Sequence, residues 1–467
     1  MKQKGYAFAA LLALALVFLA LASVFLRLEL DKYTLTGEVL AGESAAASGF
    51  GVKLSATMRA HIAWELDYSA ANGGCETRSG WELDRTHPAD PEQSSETWRD
   101  DDPLTASGEL VEYIEWDSAT AFEAEFDGKP EMRALAEELR ARLSGAEPLV
   151  RLSFPLSDYS DYYDFVPLNF DAGELAVSGG VSAAEVFRVP APEDARLGAY
   201  VHHTNGMYKF GTFIAGINVR SESVLGSDGY LYFVPDVRDE NGELFSGELL
   251  PGGGWGVYRI PCDGESIDFS RAENIFPLPE GWESAGLELS ADGGTLFVII
   301  DMKGGLDMAL LDLDTLSVTQ TMRVLPASEM AAGFDKVQRD VSSDGIAFAW
   351  RNYAAGCSFD GERCEEVYSG STRFEGLPER FADARFRGYM EVMDIACSGG
   401  RLAILRRINV SPDEMPNSDY LERPYLLLIY GKDGLECADW LSTQLDNYWR
   451  NLGLMIGMTA CITEVEA

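Results

Sequence analysis

Two carboxylate-rich stretches hold the side chains best suited to binding chemistry. In Val237 to Glu248 (VRDENGELFSGE), Asp239, Asn241 and Glu248 fall on positions three, five and twelve of a Ca²⁺ loop, with Gly242 at position six. Ca²⁺ is therefore the one cofactor these residues suggest. Position one is Val237 in place of a carboxylate, and the flanks alternate as strands do, so an acidic hairpin loop competes with a metal site. The second stretch is DYSDYYD, where Asp158, Asp161 and Asp164 interleave with Tyr159, Tyr162 and Tyr163. Carboxylates beside an aromatic such as Tyr162 suit a sugar or a cation; the competing assignment is a solvated loop over packed tyrosines.

Catalytic motifs are absent from the sequence. There is no G-x-S-x-G elbow and no H-E-x-x-H helix, and the histidines are His61, His87, His202 and His203. Adjacent residues on a strand face opposite ways, so His202 and His203 are not expected to share a metal. Gly252 to Gly254 lack the spacing of a dinucleotide cradle. With 76 Asp and Glu in the chain, a pair of carboxylates could still meet in space to cleave a glycosidic bond.

Of the seven cysteines, only Cys357 and Cys364 have a local logic. In CSFDGERC, a two-residue turn at Asp360-Gly361 would set them opposite each other on a hairpin, at a separation that suits a disulfide. The odd total leaves at least one thiol outside any intrachain bridge.

The elements that position these residues are mostly hairpins. Ser227-Asp228-Gly229-Tyr230-Leu231, Ser290-Ala291-Asp292-Gly293-Gly294, Ser342-Ser343-Asp344-Gly345 and Cys397-Ser398-Gly399-Gly400 each precede an alternating apolar run. Asp and Gly tolerate the positive φ of tight primed turns, which makes this a strong hairpin signal. Further strand pairs follow at Gly256 to Ile260, Met308 to Thr319 and Tyr425 to Leu435, which predicts four-stranded antiparallel units. With this recurring S-x-D-G-x-L-x-F signature, the chain resembles the β-propeller superfamily of exported bacterial type over its last 250 to 300 residues, roughly. The resemblance implies a mainly β fold, a propeller of about six to eight blades, and does not select a function. The apolar Leu454 to Val465 is expected to pair with an early strand and close the ring.

Residues 33–150 read as a smaller α+β segment or an elaborated first blade, and 151–467 as the propeller-like domain. Strands are predicted at Val52 to Met58 and His61 to Leu66, and an exposed loop from Asp84 to Pro103. A helix is predicted from Pro130 to Leu143, with Pro at its first position and Met132, Leu135, Leu139 and Leu143 on one stripe.

Tyr6 to Leu26 is an uncharged apolar run long enough to span a bilayer, within an anchor placed at residues 6–28. Lys2 and Lys4 precede it, so the positive-inside rule leaves residues 1–5 in the cytoplasm and the body outside the cell membrane. A cleaved signal ending near Ala20-Leu21-Ala22 is the alternative. A net charge of −39 argues against nucleic acid as a partner. The sequence thus points to a membrane-anchored extracytoplasmic binding protein with a protein, peptide or glycan partner. The alternative function is an envelope carbohydrate hydrolase or lyase using carboxylates in the central funnel.

Overall fold

The computed structural model describes Val17 and residues 34–58, 62–81, 108–126, 130–143, 149–155, 165–168, 187–190, 196–204, 206–215, 217–219, 222–239, 244, 250, 254–262, 271–326, 337–377, 390–408, 424–443 and 456–464. The fold is mainly β, with six antiparallel sheets of four or five strands and two small strand pairs among these residues. In spatial order, the first sheet is Ile456–Glu464, Phe50–Met58, Ile62–Ser69 and Gly74–Trp81. The second is Gly108–Trp116, Met207–Ala215, Arg196–Thr204 and Leu149–Pro155. The third is Glu222–Leu225, Tyr230–Val234, Gly256–Pro261 and Glu273–Pro277, and the fourth is Trp282–Leu289, Thr295–Met302, Gly305–Asp312 and Ser317–Pro326. The fifth is Gln338–Ser342, Gly345–Trp350, Tyr353–Phe359 and Cys364–Ser371. The sixth is Met390–Ser398, Arg401–Ile408, Tyr425–Gly431 and Gly434–Thr443, with Leu35–Gly42 added at its outer edge.

The third to sixth sheets are meanders whose leading strands run into the repeated turns. At Ser290 the sequence specifies the turn directly: the Ser290 hydroxyl donates to Asp292 Oδ1 (2.6 Å), which also accepts from Gly294 N (3.0 Å). The same hydroxyl oxygen accepts from Thr295 N, at 2.9 Å. Gly293 sits at φ +72°, a conformation that disfavours a side chain. At the sixth sheet, Gly399 and Gly400 both take positive φ, as a two-residue primed turn requires.

Strands with both faces covered are apolar on both faces. Thr295 to Asp301 and Tyr425 to Gly431 are buried without interruption, so period-two alternation fades there. Five apolar clusters join successive sheets: second to third, third to fourth, fourth to fifth, fifth to sixth, and sixth to first. Face-to-face burial of this kind explains why each sheet requires its neighbours.

The C-terminal strand pairs with an early strand, as its apolar character predicts. Ile456–Glu464 runs antiparallel to Phe50–Met58, from Phe50 opposite Glu464 to Met58 opposite Ile456. An early hairpin and a late strand therefore build the first sheet.

Helix α1 (Ala119–Glu125) and helix α2 (Pro130–Arg142) pack on the second sheet. Met132, Leu135 and Leu139 are buried along the stripe that their spacing predicts, and Trp116 meets Phe122 edge-on at 5.0 Å. Gly108–Trp116 pairs with Met207–Ala215, so strands from both sides of residue 150 share one sheet.

The hairpin holding Cys357 and Cys364 differs from the two-residue turn expected. Asp360 Oδ1 accepts from Glu362 N (3.0 Å) and Arg363 N (2.8 Å), making a four-residue turn from Asp360 to Arg363. Cys364 consequently pairs with Phe359, while Cys357 pairs with Glu366 past a bulge at Gly356/Cys357. The two cysteines are not opposite one another, and both are buried free thiols.

Tyr6 to Leu26 lies outside the described residues apart from Val17. No helix among the described residues is long and apolar enough to cross a membrane.

Candidate functional site

The leading strands of five sheets bring charged side chains toward one another. Arg339, from the fifth sheet, donates through Nε to Glu288 Oε1 of the fourth at 2.9 Å, and through Nη2 to Glu222 Oε2 of the third. Glu222 Oε2 also accepts from Leu287 N at 3.3 Å. One guanidinium thus ties three leading strands. Gly286 makes room for it, since a Cβ there would collide with Arg339 Nη1 and lie 2.8 Å from Glu222 Oε2.

The other leading strands continue the pattern. Asp394 of the sixth sheet accepts from Ile462 N of the first at 2.6 Å and from Ile395 N at 3.0 Å. Glu464, at the end of the C-terminal strand, accepts from Ser343 Oγ (2.7 Å) and Ser343 N (3.3 Å) in the fifth sheet's turn.

Burial dominates the electrostatics here. It raises the Glu288 carboxyl above the ordinary range while the Arg339 guanidinium pulls the other way. Asp340 is raised first by burial and then by the charges of Asp394 and Glu464. Asp394 is raised by burial and partly restored by its two backbone donors. These three half-buried carboxyls therefore favour protonation more than exposed ones would. Chemically they are suited to cohesion between sheets, and a buried, proton-holding carboxyl is also the form a general acid takes.

These residues carry a sequence signal that motif reading passed over: a charge shortly before each Ser of the repeated turn. Glu288 precedes Ser290, Arg339 and Asp340 precede Ser342, and Asp394 precedes Ser398. A charged side chain in an otherwise apolar strand is costly unless it is paired, so its recurrence marks a shared environment.

The residues singled out from sequence lie elsewhere. Asp158, Asp161, Tyr162 and Asp164 are outside the described residues, as are Asn241 and Glu248. Asp239 ends the strand Val237–Asp239, opposite Ile217 in a two-stranded pair. Among the described residues no three His, Cys, Asp or Glu side chains are grouped to hold a metal ion. His203 stacks on Tyr208 with ring centroids 4.3 Å apart, and His202 is its half-buried neighbour on the strand.

A recess of about 260 Å³ lies among the turns of the fourth and fifth sheets, lined by Ser290, Asp292, Ser343, Phe359, Asp360 and Gly361. Asp292 is held below the usual carboxylate range by the Ser290 hydroxyl and the Gly294 N–H. The Glu362 and Arg363 N–H groups do the same for Asp360. Both carboxylates are committed to shaping turns.

No family model matches the chain, and no curated protein sequence matches it. Among solved structures, the chain is similar to a putative 6-phosphogluconolactonase from Bacteroides fragilis at 8% identity and a TM-score of 0.31, covering 89% of this chain and 98% of that one. The Pseudomonas aeruginosa periplasmic gluconolactonase matches at 9% identity and a TM-score of 0.25, covering 83% and 82%. The WD40 domain of SCAP from fission yeast matches at 10% identity and a TM-score of 0.25, covering 53% and 58%. At such superpositions the functional reading rests on this chain's own geometry.

Proposed function

We propose that this chain is a membrane-tethered, extracytoplasmic β-propeller of six blades that serves as a binding scaffold for a protein, peptide or glycan partner. The six successive sheets are its blades, and Ile456–Glu464 completes the blade begun by Phe50–Met58. The observation that carries the reading is the Arg339 clamp on Glu222 and Glu288, which commits central charges to cohesion. Recognition then falls to the blade connections, as in other repeat scaffolds. The uncharged run Tyr6 to Leu26, with Lys2 and Lys4 before it, supports the tether.

One observation favours a second reading, an envelope carbohydrate hydrolase or lyase. Asp340 and Asp394 are both raised, and the Asp394 charge contributes to the rise at Asp340. Full-length protein and its Asp340→Asn variant, applied to glycan and peptide arrays and to a panel of polysaccharides, separate the two. The scaffold reading expects saturable binding by both proteins and no release of new sugar ends. Sugar release that disappears in Asp340→Asn would replace it with the hydrolase.

A further inference from the structure

Strand direction fixes which end of the body each connection occupies. In the third to sixth sheets the leading strand runs into a short turn, the second strand returns, and the third runs toward the turn end again. Turns such as Ser290 to Gly294, Asp360 to Arg363 and Lys432-Asp433 therefore share one end. Contacts across sheets agree: Asp344 Oδ2 accepts from Gly399 N at 3.0 Å, and Ser343 meets Glu464. The opposite end carries the turns at Lys303 and Arg351. The strands that stop at Trp81, Pro326, Ser371, Ile408 and Thr443 also end there.

Leu35–Gly42 enters this frame with a defined polarity. It is antiparallel to Gly434–Thr443, with Leu35 opposite Thr443 and Gly42 opposite Cys437. Since Gly434 lies at the turn end, Leu35 lies at the opposite end. The chain then crosses at the turn end, where Glu43 N donates to Glu436 O at 3.2 Å, and enters Phe50–Met58 beside Glu464.

Only residues 27–34 separate Leu26 from Leu35. Even fully extended they reach about 28 Å, at roughly 3.5 Å per residue. We infer that the end carrying the turns at Lys303 and Arg351 faces the bilayer and that the Ser-Asp-Gly turn end faces away from it. This rests on the reading of Tyr6 to Leu26 as a retained anchor. A soluble partner then meets the turn end first, while the opposite end is reached by partners that are themselves held in the membrane.

The test uses full-length protein in nanodiscs containing acceptor-labelled lipid, with a genetically encoded fluorescent residue as donor. Lys303 and Arg351 are exposed positions at one end, and Glu362 and Asp433 are exposed at the other, so each end has a second site if one substitution fails to fold. Strands of about eight residues separate the ends by roughly 25 Å. Energy transfer from Lys303 and Arg351 should exceed that from Glu362 and Asp433 by at least about twofold. Equal or reversed transfer, in protein that has entered the disc, would overturn the orientation alone. Protein that does not enter the disc would remove the anchor reading and the orientation with it.

Discussion

Tyr68 donates its hydroxyl to Asp439 Oδ2 at 2.6 Å across the seam between the first and sixth sheets. Both groups are buried, and Gly37 on the outer strand must lack a side chain because a Cβ there would collide with the Tyr68 hydroxyl. A contact between residues so distant in sequence fastens the part of the body where the two ends of the chain meet. Burial raises the Asp439 carboxyl, and the Tyr68 hydrogen bond opposes that rise.

Tyr68→Phe should therefore cost stability at neutral pH, by about 1–3 kcal/mol for a buried acceptor left without its donor. The Tyr68 bond holds the Asp439 carboxyl lower than burial alone would, so the stabilisation it supplies is present at high pH and fades as Asp439 takes up a proton. Thermal denaturation of both proteins from neutral to acid pH should show their difference shrinking. A difference that is absent at pH 7, or that grows on acidification, would contradict this role.

Removing the Arg339 guanidinium leaves Glu222 and Glu288 facing each other without a cation. Arg339→Met should destabilise the body by about 1–3 kcal/mol, less than breaking a fully buried pair because Glu222 and Glu288 are half-buried. Adding Glu222→Gln and Glu288→Gln should recover most of that loss in chemical denaturation, because no uncompensated charge remains. If the triple variant were as unstable as the single one, shape rather than charge would explain the clamp.

Asp301, on the second strand of the fourth sheet, is raised to about 6, first by burial and then by Glu283, with Arg238 opposing. A carboxyl raised on folding binds its proton more tightly in the native state, so its favourable contribution is full below its ordinary pKa and is lost as pH rises through about 6. Asp301→Asn should consequently be more stable than the parent at pH 7, by about 1–3 kcal/mol, because each tenfold change in proton affinity on folding is worth about 1.4 kcal/mol. Urea denaturation should find that advantage gone near pH 4, and a destabilised variant at pH 7 would refute it.

Features encoded locally were legible in the sequence. Asp292 with Ser290 and Gly293 forms a turn from side-chain and backbone bonds within a few residues, so the motif announces the hairpin. Pro130 and the spacing of Met132, Leu135 and Leu139 likewise announce α2. The apolar C-terminal segment predicts a core strand paired with an early one; Ile456–Glu464 does pair with Phe50–Met58, but as an edge strand on which Ala460 alone of the described side chains is buried.

What escaped depends on distant pairing or on the chemistry of one side chain. Arg339 finds partners 51 and 117 residues away, which no local window contains. Asp360 capping two backbone N–H groups lengthens its turn and moves Cys364 out of register with Cys357. The order of the second sheet depends on Leu149–Pro155 finding Arg196–Thr204, a pairing that the intervening composition conceals.

The pairing of Ile456–Glu464 with Phe50–Met58 is directly measurable through Cys461. Cys461 is exposed and lies opposite Lys53, so Lys53→Cys places a second thiol at cross-strand distance at the cost of one exposed ion pair with Glu65. After mild oxidation of the folded protein, peptide mapping should find positions 53 and 461 joined in most molecules. Finding both thiols open to alkylation but never joined would show that the C-terminal strand does not pair there, and the four-stranded first sheet would fall with it.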